Sequence, residues 1–225
     1  WLPSAFDRAL RHAVWVLLLL ALLLWNRGAV AQWLERLRRS PETRRLWLGA
    51  LAILVLATSI RVIDAGAQGE TCDEWAYVGA GEVYARNIAT GTFDSEQWKV
   101  NREHPAVGKL FYSALSGLFG EGPDVARVGA GVLNAFIVLM AYFLAAWLAG
   151  PMAAAGTGVV LALLPPVLAH ANIGTLDTPL TFFYTAAVGL FLVALRVPER
   201  RTSALFWAAL SAGLAIGVKF SAALI

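Results

Sequence analysis

Recurrent apolar runs of near membrane-spanning length, separated by short charged loops, constrain this chain more than any other feature. A helix needs about 20 apolar residues to cross a bilayer. Leu46 to Ile63, Val125 to Leu148, Met152 to Ala169, Leu180 to Leu195 and Ala204 to Ile225 each approach or exceed that length. Ala13 to Trp25 is apolar but shorter, and fits either a span or an interfacial segment. Only 15% of the 225 residues are charged and 59% are hydrophobic. Soluble domains carry about 25% charged residues. The expected fold class is therefore all-α: a polytopic transmembrane helical bundle with interfacial helices on the extracytoplasmic face. The single Cys, Cys72, excludes a disulfide framework and a multi-cysteine metal site. No Gly-rich phosphate loop, nucleophile elbow or zinc-protease helix occurs, and no nucleic-acid partner is expected.

Charge placement sets the topology. Arg27 to Arg45 holds six arginines against Glu35 and Glu42, and marks a cytoplasmic loop. Across the next span, Asp64 to Lys109 reverses the sign, with eight acidic residues against four basic ones. That segment is expected outside. Arg196, Arg200 and Arg201 mark a second cytoplasmic loop. Ala106 to Phe119 is too short to span and reads as an interfacial helix. Gly150-Pro151 reads as a tight turn, and Pro165-Pro166 as a bend or end in the following span. Residues 1–45 form an expected N-terminal hydrophobic segment with its basic loop, and residues 46–225 the start of a catalytic membrane domain. The chain reads as a piece of a longer protein.

This topology brings Asp73, Glu74, Glu103, His104, Lys109, Asp177 and Lys219 to the external side from four segments. Adjacent carboxylates in TCDEWAYVGAGEVYA, at the edge of a low-dielectric region, suit a general base or a bound cation. They equally suit a helix N-terminus. In NREHPAVGK, Pro105 reads as lying near the first helical turn, where the free amides favour an anion. Lys109 then stands where an ammonium can meet a phosphate, or snorkels. In NIGTLDTPLTFFY, Pro179 reads as the first helical position with Thr178 as its cap, and Asp177 as a catalytic or capping carboxylate. Lys219, in AIGVKFSA, reads as an intramembrane cation in the outer half of the last span. Such a residue marks function unless it snorkels.

An acidic pair after an outward span is followed in order by an "EHP…GK" element, "TLDTPL" and "GLAIGVKFSAAL". This set resembles the membrane glycosyltransferases of the GT-C fold, specifically the protein O-mannosyltransferase-like family 39. Its bacterial relatives include the aminoarabinose transferases of lipid A. The resemblance covers Leu46 to Ile225. It implies a glycosyltransferase that moves a sugar from a polyprenyl-phosphate donor to a hydroxyl acceptor on protein, lipid or glycan, with inversion. The expected location is the plasma (inner) membrane, with the site facing outward. It further implies catalytic roles for Asp73, Glu74 and Asp177, and donor-phosphate contacts for Lys109 and Lys219. Arg102 stands close enough in sequence to join those two. In some members a divalent metal binds near the element that matches Glu103 and His104. The family often has two prolines after the histidine, whereas Ala106 follows Pro105 here. Two other readings remain at this stage. One is a secondary transporter, which would place its charges nearer the midplane and show repeats. The other is a non-catalytic lipid-binding membrane protein.

Overall fold

The computed structural model describes residues 28, 31–32, 35, 38–63, 65, 69, 71–93 and 96–224. The segment Ala13 to Trp25 lies outside them. The described residues form α-helices and short 3-10 turns, with no strand among them. The helices are α1 (Pro41–Ile63), α2 (Cys72–Thr90), α3 (Val107–Phe119), α4 (Pro123–Ala149), α5 (Pro151–Leu163), α6 (Pro165–Ala171), α7 (Asp177–Arg196) and α8 (Arg201–Val218). Residues up to Gly49 and residues from Ala50 onward form two units. In the first, Ser40 caps α1 by accepting from the Thr43 amide at 3.2 Å, and Arg39 pairs with Glu35 at 2.6 Å.

Among the described residues, four helices are long and apolar enough to cross a membrane: α1, α4, α7, and α8 with the turn before it (Pro198–Val218). α5 and α6, bent by 60° at their junction, pass the same test only together, as a broken span or a re-entrant loop. Only 22–28% of each span's apolar window is buried, so most of that apolar surface is available to lipid chains. Prolines open α4, α5 and α6, where a missing N–H costs nothing because first-turn amides have no helical acceptor. The α4–α5 turn depends on Gly150, whose φ of 87° disfavours any side chain. Helices α2 and α3 are not among those long and apolar enough to span. They pack on each other and on α4, which also contacts α5, α6 and α7. Their contact is close because Gly81 has no side chain: a Cβ there would lie 2.8 Å from the Lys109 carbonyl oxygen.

Three local expectations change. α7 starts at Asp177, so Pro179 is the third helical residue rather than the first. Its missing N–H still falls among the four that helices leave free. The Thr178 hydroxyl does not cap the helix; it donates to the His170 carbonyl at 3.2 Å. α8 ends at Val218, and Lys219 is extended (φ −140°, ψ 133°) rather than inside a span. α3 begins at Val107, two residues beyond Pro105.

Candidate functional site

Tyr77, Val78, Tyr112, Ala126, Leu176 and Val218 form a buried core that joins α2, α3, α4, α7 and α8. Two of these residues immediately precede site candidates. Leu176 seats Asp177, and Val218 seats Lys219. The Lys219 ammonium donates to Asp177 Oδ1 at 2.6 Å, joining the last two expected site residues directly. His170 Nδ1 stands 4.0 Å from Asp177 Oδ2. Together with Asn134, Thr178 and Thr181, His170 and Asp177 line a cavity of about 520 Å³ between α4, the bent α5–α6 pair and α7.

Tyr77 marks the point where the carboxylates converge. Its ring is buried and lies 5.7 Å from the His104 ring. Burial raises the phenol's pKa, and the negative charges of Glu103, Asp73 and Asp177 raise it further. The structure thus brings Asp73, Glu103, His104, Asp177 and Lys219 to one end of the bundle, around one aromatic ring. Asp73, Arg102 and Glu103 are exposed there.

Glu74 is buried, in contrast to Asp73. Thr71 is the N-cap of α2, and the two residues form a reciprocal capping box. Glu74 Oε1 accepts from Arg127 Nε and the Gly174 amide, both at 2.8 Å. Oε2 accepts from Arg127 Nη2 at 2.8 Å and from the Thr71 amide at 3.0 Å. A carboxylate has about four acceptor positions, so all are occupied. Burial by itself pushes the Glu74 carboxyl up, but the bonds from Arg127, Gly174 and Thr71 outweigh it and leave the pKa lowered. Glu74 and Arg127 thereby clamp α2, α4 and the loop before α7 together. The Tyr112 hydroxyl ties α3 to the same loop by donating to the Thr175 carbonyl at 2.6 Å.

Lys109 is also buried. Its ammonium donates to the Asn101 and His104 carbonyls at 2.6 and 2.7 Å, stapling the loop that carries Arg102, Glu103 and His104. Burial lowers its pKa, and Glu103 pulls it partly back. For a metal, Glu103 and His104 provide two donors 3.9 Å apart. The described residues contain no group of three or more His, Cys, Asp or Glu side chains able to hold an ion.

Arg127 was not expected from sequence. Arg61 reads there as a cation that snorkels from the end of its span, but it is fully buried against Asn134 and backbone carbonyls. Charged residues within apolar runs were the available signal for both arginines. Tyr77 reads in sequence as an interface-seeking aromatic.

Described residues that are helical, several span-length apolar helices, and carboxylates with a lysine gathered at one end define a class of integral membrane proteins that carry a polar site. Comparison with known families narrows the class. A sequence model described as dolichyl-phosphate-mannose-protein mannosyltransferase matches residues 103–225, and the chain belongs to that family. It is a membrane glycosyltransferase of the mannosyltransferase type. The match includes Glu103, His104, Lys109, Asp177 and Lys219, and begins after Asp73 and Glu74. No curated protein and no solved structure matches the chain.

Proposed function

We propose that the chain transfers a sugar from a polyprenyl-phosphate donor to a hydroxyl acceptor on the extracytoplasmic face of the plasma (inner) membrane, with inversion. The observation that carries this reading is the gathering of Asp73, Glu103, His104, Asp177 and Lys219 around Tyr77 at one end of the bundle. Exposed Asp73 acts as general base and takes the proton of the acceptor hydroxyl. The acceptor oxygen then attacks the sugar's anomeric carbon as the bond to the lipid phosphate breaks. A single displacement of this kind inverts the configuration. Negative charge grows on the departing phosphate, where Lys219 and Arg102 stabilise it. In this reading the phosphate competes with Asp177 for the Lys219 ammonium.

Two further groups support the site indirectly. Lys109 sets the loop bearing Arg102, Glu103 and His104, and Glu74 holds Asp73 in place through the α2 cap. The polyprenyl tail has an apolar groove of about 530 Å³ between α3 and α4, lined by Phe111, Leu115, Phe119, Val128, Val132 and Phe136.

The test uses the full-length parent in membranes supplied with radiolabelled polyprenyl-phosphate sugars. Wild type releases label from the lipid, whereas Asp73→Asn, with unchanged membrane insertion and melting, does not. Transfer by Asp73→Asn at the wild-type rate would remove Asp73 as the base. No release by wild type from any donor would overturn the donor assignment.

A further inference from the structure

The break between α5 and α6 creates a specific chemical vacancy. A helical residue donates its N–H to the carbonyl four positions earlier. Pro165 and Pro166 have no N–H, so the carbonyls of Leu161 and Ala162 lack their helical donors. Backbone freed in this way needs a donor from a neighbouring helix, a side chain or an ordered water. Arg61, on α1, meets both: Nη1 donates to Ala162 O and Nη2 to Leu161 O, each at 3.3 Å. Its Nη1 also donates to Ala57 O at 3.0 Å, and its Nε to Asn134 Oδ1 at 2.9 Å. These bonds occupy four of the five guanidinium N–H groups. The side chain is 0% exposed, and among the described residues no carboxylate pairs with it. The fit to its own site is tight, since a Cβ on Gly131 would lie 3.1 Å from Arg61 Cβ.

The same atoms adjoin the candidate site. Asn134, Leu161 and Pro166 line the cavity that also holds His170 and Asp177. We propose that Arg61 is a positioning residue for sugar transfer: it latches the Pro165–Pro166 break and so sets where His170 and Asp177 stand around that cavity. A straight α5–α6 helix would carry His170 elsewhere, and would release the His170 carbonyl from Thr178. The link to transfer rests on the proposed function; the latch itself does not.

A double-mutant cycle in the purified full-length protein separates the two. Arg61→Met is compared in the wild-type background and with Pro165→Ala/Pro166→Ala, where the restored amides can satisfy Leu161 and Ala162 within the helix. In the wild-type background the melting temperature falls by about 4 °C or more. In the double-alanine background the shift is less than half of that. Equal shifts in both backgrounds would overturn the latch. His170→Cys/Asp177→Cys in Cys72→Ser protein, joined by a short bifunctional thiol reagent, reads position without activity. Crosslinking persists with Arg61 and drops with Arg61→Met; unchanged crosslinking would overturn the positioning role. The triple variant regains its melting temperature yet transfers sugar about 10-fold more slowly or worse, because the reacting groups are displaced. Wild-type transfer by the triple variant would reduce Arg61 to a structural residue. If wild type transfers from no donor, the proposed function fails, while the melts and crosslinks still decide the latch.

Discussion

At the scale of the residue, neighbours in sequence have opposite environments. Asp73 and Glu74 are adjacent on α2, yet one is exposed and the other makes four hydrogen bonds in the interior. Helical geometry causes the split, because consecutive side chains point about 100° apart. The consequences are separable. Asp73→Asn leaves melting unchanged and stops transfer. Glu74→Gln lowers stability, since Arg127 loses its buried carboxylate partner and keeps the longer contact with Asp124 at 4.0 Å. Chemical or thermal unfolding of the two variants checks this directly. The Glu74 pKa is lowered in the folded state, so its stabilisation is complete above its ordinary value of 4.5. It is lost as pH falls through the lower, folded value. Melts between neutral and acid pH should therefore converge for wild type and Glu74→Gln at the acid end. Curves that stay parallel throughout would contradict the clamp. Lys109→Met frees the 101–104 loop, and is expected to raise the apparent KM for the lipid donor more than it lowers kcat.

At the scale of the element, the contact between α2 and α3 decides how these two helices present their charges. A Cβ at Gly81 meets backbone atoms of α3, namely Lys109 O at 2.8 Å and Ser113 N at 3.1 Å. Backbone cannot swing aside, so the helices must separate. Gly81→Ala is expected to cost about 1–3 kcal/mol and to loosen the Lys109 staple. At Gly108 a Cβ meets the end of the Leu176 side chain at 2.5 Å, which a rotamer change relieves. Gly108→Ala is therefore the milder change, and a side-by-side melt tests the order. The bent α5–α6 pair follows the same logic. Its prolines were legible as a break, but the donor that satisfies the freed carbonyls comes from α1, about 100 residues away in sequence.

At the scale of the whole molecule, the two ends of the bundle differ in chemistry. One end gathers Asp73, Glu103, Asp177 and Lys219. At the other, Arg196 lies over the Trp147 ring at 5.6 Å, beside Arg200 and Arg201. With the basic end cytoplasmic, a cysteine at Phe93 should react with an impermeant reagent added outside intact cells. One at Glu199 should react only after the membrane is opened, both in Cys72→Ser protein. The reverse pattern would invert the topology and move the site to the cytoplasm.

The sequence by itself determined the helical class, the order of the helices and the four long spans, because a bilayer imposes a length and a polarity on every crossing segment. Charge asymmetry and ordered motifs also pointed to the family and to the residues at one end. Tertiary structure alone decided what each polar side chain touches. It turned Glu74 toward Arg127, Lys109 toward loop carbonyls, and Arg61 toward the carbonyls left by two prolines. It also paired Asp177 with Lys219, 42 positions apart. The physical reason is that hydropathy records whether a residue can be buried. Its hydrogen-bond partner depends on which helix faces it, and local sequence does not carry that information.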